Sequence, residues 1–222
     1  MKSYLTATKF INSDHPKIRA FAEKITNGSR APIQKAVRIY YAVRDGWKYN
    51  PYNISLQDDA LLASNILQKE DGHCIDKAVL MIALLRAAGV PARLCLAKVC
   101  NHIAAERMTE AFGTDELTPH GYVEVWLNER WVKATPAFNK ELCEKLGVAP
   151  LDFDGQHDSV FQEFDRAGGQ FMAYLEEYGC FDDVPLDFIY DNMKAHYPRF
   201  FTSDITFSKE RLLEIVNAAP ED

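Results

Sequence analysis

Marked as apolar and polar positions, the chain from Asp14 to Arg93 is a run of helices cut by glycine and proline. DHPKIRAFAEKITNG begins with Asp14 as an N-cap, has Pro16 in the first turn and closes at Gly28, so it predicts a helix. APIQKAVRIYYAVRDG places apolar residues at 33, 36, 37, 40 and 43 and stops at Gly46, which is helical spacing. WKYNPYNI is extended and broken by Pro51, and ALLASNILQKEDG predicts a short helix ending at Gly72. DGHCIDKAVLMIALLRAAGVPAR is apolar on every side from Ala78 to Leu85. It predicts a central, buried helix ended by Gly89 and Pro91.

The pattern then changes period. ARLCLAKVC reads as a buried strand, and residues 101–119 as irregular with a helical piece around AAERMTEAFG. HGYVEVWLNERWVKA predicts a β-hairpin turning at Asn128-Glu129. In that register Val125 faces Val132 and Val123 faces Ala134 on an apolar face. Glu124 faces Lys133 and Trp126 faces Trp131 on the other. His120, Tyr122, Glu124 and Trp126 share this polar face, and Thr135 lies diagonal to His120. Beyond Pro136 helices are expected near 138–146, 166–178, 185–195 and 208–217, joined by acidic loops. No repeat or low-complexity segment is visible.

Composition bounds the class. A chain of 222 residues with 47% apolar content suits one substantial core with an appendage. Residues 1–149 carry a charge of +4 and residues 150–222 carry −11, within a total of −7. The expected division is a core over 1–149 and an acidic, mainly helical extension over 150–222 packed on it. The negative balance excludes nucleic acid as the main partner. No apolar run approaches the ~18 residues that cross a bilayer, and the N-terminus lacks a secretory h-region. Five cysteines without CxxC pairing argue against a disulfide scaffold and for free thiols in a reducing compartment, so the expected location is cytoplasmic.

Two residues stand out chemically. Cys74 follows Gly72 at the mouth of the buried helix, where unpaired N–H groups favour an anion and lower a thiol pKa from about 8.5. His120 could take the thiol proton and return it to a leaving group.

GHCIDKAVLMIALLRAAGVPAR resembles the cysteine motif of the transglutaminase-like superfamily. HGYVEVWLNERWVKATP resembles its histidine–hairpin motif, and YYAVRDGWKYNPY the helix and aromatic strand upstream, so that the resemblance covers roughly residues 36–136. It implies an α+β, papain-like fold and acyl chemistry on peptide or protein amides by a Cys-His-Asp triad, with Cys74 as nucleophile and His120 as base. The third place falls on Thr135, whose hydroxyl can accept from imidazole but carries no charge. Three outcomes stand open: Thr135 orients His120; Asp154, Asp158 or neutral Asn139 substitutes; or the site is a degenerate scaffold. The oxyanion would meet the Cys74 N–H and a further donor, for which Trp47, Tyr49 and Tyr52 are candidates. His73 is a neighbour with an exposed ring that could touch substrate. Cys95, Cys100, Cys143 and Cys180 read as packing residues. Cys95 and Cys100 point to opposite faces of one strand, so no metal is expected, and no other cofactor. The oligomeric state is not legible.

Overall fold

The protein is described by a computed structural model over residues 1–57, 59–101, 109, 113–160, 172–198 and 201. Helices α1 (Pro16–Thr26), α2 (Pro32–Gly46) and α3 (Ala63–Ile66) surround α4 (Cys74–Ala87). On its other side α4 meets a four-stranded antiparallel sheet of β3 (Ala92–Asn101), β4 (Glu116–Leu127), β5 (Arg130–Ala134) and β6 (Met172–Phe181), in the order β5-β4-β3-β6. Two short parallel strands, β1 (Lys48–Tyr49) and β2 (Asp71–Gly72), pair just ahead of α4. A single 3-10 turn at Ser3–Leu5 and helices α5 (Lys140–Lys145) and α6 (Leu186–His196) complete the described elements.

Enclosure on both sides explains the apolar run. Every residue from Cys74 to Arg86 is buried. Truncating a fully buried leucine such as Leu80 would cost about 2–5 kcal/mol. Two cations are buried with it and find backbone carbonyls. Arg86 donates to the carbonyls of Thr6, Ala92 and Asp182. This joins the end of α4 to the N-terminal segment, the start of β3 and the exit of β6.

The hairpin has the expected register, from Leu127 opposite Arg130 to Val123 opposite Ala134. Val123, Val125, Val132 and Ala134 join the core around α4. The turn takes positive φ at both central residues, 49° at Asn128 and 63° at Glu129, the sense that matches strand twist. Glu124 and Lys133 are opposite but partner elsewhere. Glu124 accepts from Arg93 Nε at 2.8 Å, and Lys133 donates to Glu177 at 2.8 Å.

Several expectations are corrected. His15, not Asp14, caps α1, accepting from the Lys17 N–H. Asp71 and Gly72 form a strand rather than a helix end. The helix expected over 166–178 is replaced from Met172 onward by β6, because β3 has a second edge whose N–H and C=O groups need partners. Residues 166–171 and 208–217, and most of the helical piece near AAERMTEAFG, lie outside the described residues. Through β6 the region beyond 150 completes the sheet of the core, and α6 packs on β4.

Cys95 and Cys180 are not free packing thiols. They are opposed across β3 and β6 and form a disulfide, which removes the ground on which a reducing compartment was expected. Cys74, Cys100 and Cys143 take no part in this disulfide. Among the described residues no helix is long and apolar enough to cross a membrane.

Candidate active site

Cys74 opens α4, and His73 caps it. The His73 Nδ1 accepts from the N–H of Ile75 at 3.1 Å and of Asp76 at 3.4 Å. That role requires an unprotonated ring nitrogen, and burial lowers the His73 pKa accordingly, against the pull of Asp76. The ring expected to be exposed is therefore buried, although it lines the cleft that also holds Cys74.

Strand β4 reaches the sulfur through its backbone. The Gly121 N–H donates to Cys74 Sγ at 3.5 Å. A Cβ at position 121 would stand 2.9 Å from Ile75 Cγ1 and 3.1 Å from Ile75 Cα. Only glycine lets the strand meet the first turn of α4 this closely. Gly121 follows His120, so one contact brings both motif regions together. A glycine inside a strand pattern was the available signal for it.

Burial dominates the electrostatics. It pushes the Cys74 thiol up to about 11, against the lowering effect of the N–H groups of Gly121, Ile75 and Cys74 itself. The helix start favours the thiolate as expected, but desolvation outweighs it. His120 is lowered to about 4 by burial, with the nearby His73 ring adding to it. The resting pair is a neutral thiol and a neutral imidazole.

His120 and Thr135 line one small cavity with Phe138, Leu151 and Met172, while Cys74 lines a larger cleft. Among the described residues His120 Nδ1 and Thr135 Oγ1 are buried without hydrogen-bond partners. The structure thus brings Thr135 and His120 to the same cavity without bonding them.

The acidic substitutes are elsewhere. Asp154 is exposed and binds His157 Nδ1 at 2.7 Å and the backbone of Gln156 and His157. Asp158 accepts from the Lys133 N–H at 2.9 Å on the surface. Buried Asn139 accepts from the Tyr49 N–H at 3.0 Å. None of the three lines the His120 cavity.

Of the aromatic donors, Trp47 is committed, its Nε1 donating to the Ile66 carbonyl at 3.2 Å. Tyr49 lines the Cys74 cleft, its hydroxyl held protonated by burial and by the neighbouring Cys74 sulfur. Tyr52 lies beside Tyr49 and is half-buried. Lys77 is a residue that sequence reasoning passed over. One turn beyond Cys74 and fully buried, its Nζ donates to the carbonyls of Arg44, Trp47 and Ala137 at 2.7–2.8 Å. A lysine in the first turn of a largely apolar helix was its signal.

The family model for the Transglutaminase-like superfamily matches residues 19–136, more than half of the chain and both motifs. The chain belongs to the transglutaminase-like superfamily. Among solved structures, this transglutaminase-like chain is similar to that of a candidate cysteine protease from Cytophaga hutchinsonii. The identity is 15% and the TM-score 0.48, over 78% of this chain and 62% of that one. It is also similar to the periplasmic domain of TgpA from Pseudomonas aeruginosa, at 20% identity and TM-score 0.45 over 64% and 47% of the two chains. The chain spans less than two thirds of either structure. No curated protein sequence matches it.

Proposed function

We propose that this transglutaminase-like protein is a cysteine-dependent enzyme acting on amide bonds of a peptide or protein through a thioester. The observation that carries this reading is the Gly121 N–H on Cys74 Sγ at 3.5 Å, at the start of α4 and one residue from His120.

The neutral resting pair suits general-base attack rather than a standing ion pair. Cys74 Sγ bonds to the carbonyl carbon as His120 removes the thiol proton. The oxyanion is met by the Cys74 N–H at the start of α4 and by the Tyr49 hydroxyl. The C–N bond then breaks as His120 passes the proton to the leaving amine. Water or a second amine adds to the thioester, and the thiol is regenerated. Hydrolysis is the preferred outcome. The chemistry needs no metal or other cofactor, and nucleic acid and membrane are not proposed as partners. The Cys95–Cys180 bond suits an oxidising compartment better than the cytoplasm.

A second reading is a catalytically silent binding domain. It is favoured by Thr135 in the acid position and by the unpartnered His120 Nδ1. The test is a screen of peptide and acyl substrates against wild type, Cys74→Ala and His120→Ala. Turnover lost in both variants, with a thioester trapped on Cys74, supports the enzyme. Turnover equal in all three, or none in wild type, supports the silent domain.

A further inference from the structure

The larger cleft tells what kind of substrate would reach Cys74. It is an open cleft with a cavity volume of about 40 Å³, room for roughly three waters and so for a side chain rather than a drug-sized ligand. It is lined by Ile54, Leu56 and Leu61 after β1, by Ile189 and Met193 of α6 and by Leu117 of β4. Among the described residues no lysine, arginine, aspartate or glutamate lines it.

Asp71 accepts from Asn50 Nδ2 at 2.9 Å and Asn53 Nδ2 at 2.8 Å. These bonds hold the segment that presents Ile54 and Leu56. Tyr197, just after α6, receives the Thr118 N–H at 2.7 Å and donates to the Glu116 carbonyl at 2.9 Å. Those bonds tie the end of α6 to β4 and leave the Ile189–Met193 face of the helix toward the cleft. Its two polar groups nearest the chemistry, Cys74 and His73, are both neutral at rest. A charged side chain entering here would lose its water and meet no counter-ion among the described lining residues; an aliphatic or aromatic one would meet apolar surface.

We infer that the cleft is a specificity pocket for a large apolar side chain or acyl group on the residue whose carbonyl Cys74 attacks, shaped jointly by Ile54, Leu56 and Leu61 and by α6. This rests on the reading of Cys74 as a nucleophile. Apolar pockets discriminate by roughly ten- to two-hundredfold per methylene, so the selectivity over a charged group is large enough to measure without knowing the natural substrate.

The experiment uses the full chain and chloromethyl ketones of blocked leucine, phenylalanine, aspartate and lysine. Thiol attack displaces chloride and leaves a stable thioether. Intact mass gives the rate of Cys74 modification, with Cys74→Ala as the site control and each probe normalised to its rate with a small free thiol. The leucine and phenylalanine probes are expected to react at least tenfold faster than the other two. Leu56→Lys, on a half-buried loop position, is expected to lower the leucine-to-aspartate ratio at least threefold; if that variant does not fold, the wild-type panel decides alone. Equal rates for all four probes, with Cys74 still alkylated, overturn the pocket and leave the nucleophile standing. Failure of every probe and of iodoacetamide to modify Cys74 overturns the nucleophile and the pocket with it.

Discussion

Gly121 and Ile75 are in backbone contact: a Cβ on Gly121 would lie 3.1 Å from Ile75 Cα and 3.3 Å from its nitrogen. Neither atom can swing aside as a side-chain tip could. Gly121→Ala must therefore part β4 from the first turn of α4, and with it the N–H that touches Cys74 Sγ. Overpacking of this kind costs roughly 1–3 kcal/mol. The expected outcome is a Tm drop of several degrees together with loss of turnover well beyond what that drop explains. A variant with wild-type turnover would show that the strand–helix contact does not position the site.

Thr135 shares a cavity with His120, yet its hydroxyl has no partner among the described residues. Thr135→Val should therefore change turnover little, by less than about fivefold. Thr135→Asp restores a charge beside the imidazole and favours its protonated form. The acid limb of the rate–pH profile should move upward and turnover should rise. Severe loss in Thr135→Val would instead show that the hydroxyl orients His120 during the reaction.

The His120 pKa of about 4 makes a prediction about acid stability. The unfolded ring titrates near 6.5. Between about pH 6.5 and 4 the unfolded chain binds the extra proton, so stability falls with falling pH across that window and levels below it. The gap corresponds to about 3 kcal/mol. His120→Gln should flatten the chemical-denaturation midpoint over this range. Equal slopes in the two proteins would mean that His120 is not buried neutral. His73, lowered in the same direction, contributes a parallel slope that this variant leaves in place.

The parts legible in the sequence were those set by local periodicity. The register from Leu127 to Val123 follows from alternating valines on one face, because a one-residue slip would expose all of them. The burial of α4 follows from an apolar run with no polar face. What escaped was decided by distant partners. Residues 172–178 are compatible with a helix and become a strand because β3 offers an edge. Cys95 and Cys180 are 85 residues apart and meet only once that strand is placed. Asp154 looked like a substitute acid by proximity in sequence, but it binds its own loop and His157. The effect of a helix N-terminus on Cys74 was foreseen in sign, while the larger effect of burial required knowing what covers it.

The turn of the hairpin stores a correctable cost. Glu129 adopts φ 63° with a Cβ, a conformation that costs an L residue roughly 1–2 kcal/mol and glycine little. The side chain is exposed, so no packing offsets it. Glu129→Gly gives the Asn-Gly pair that this turn favours. Glycine's extra freedom in the unfolded chain takes back part of the gain. The net expectation is a stabilisation of up to about 1 kcal/mol, read as a rise of a few degrees in Tm. Reactivity at Cys74 should be untouched, since the turn lies at the far end of the strand from His120. A lower Tm would mean that the Asn128-Glu129 turn does not hold the left-handed pair of conformations in solution.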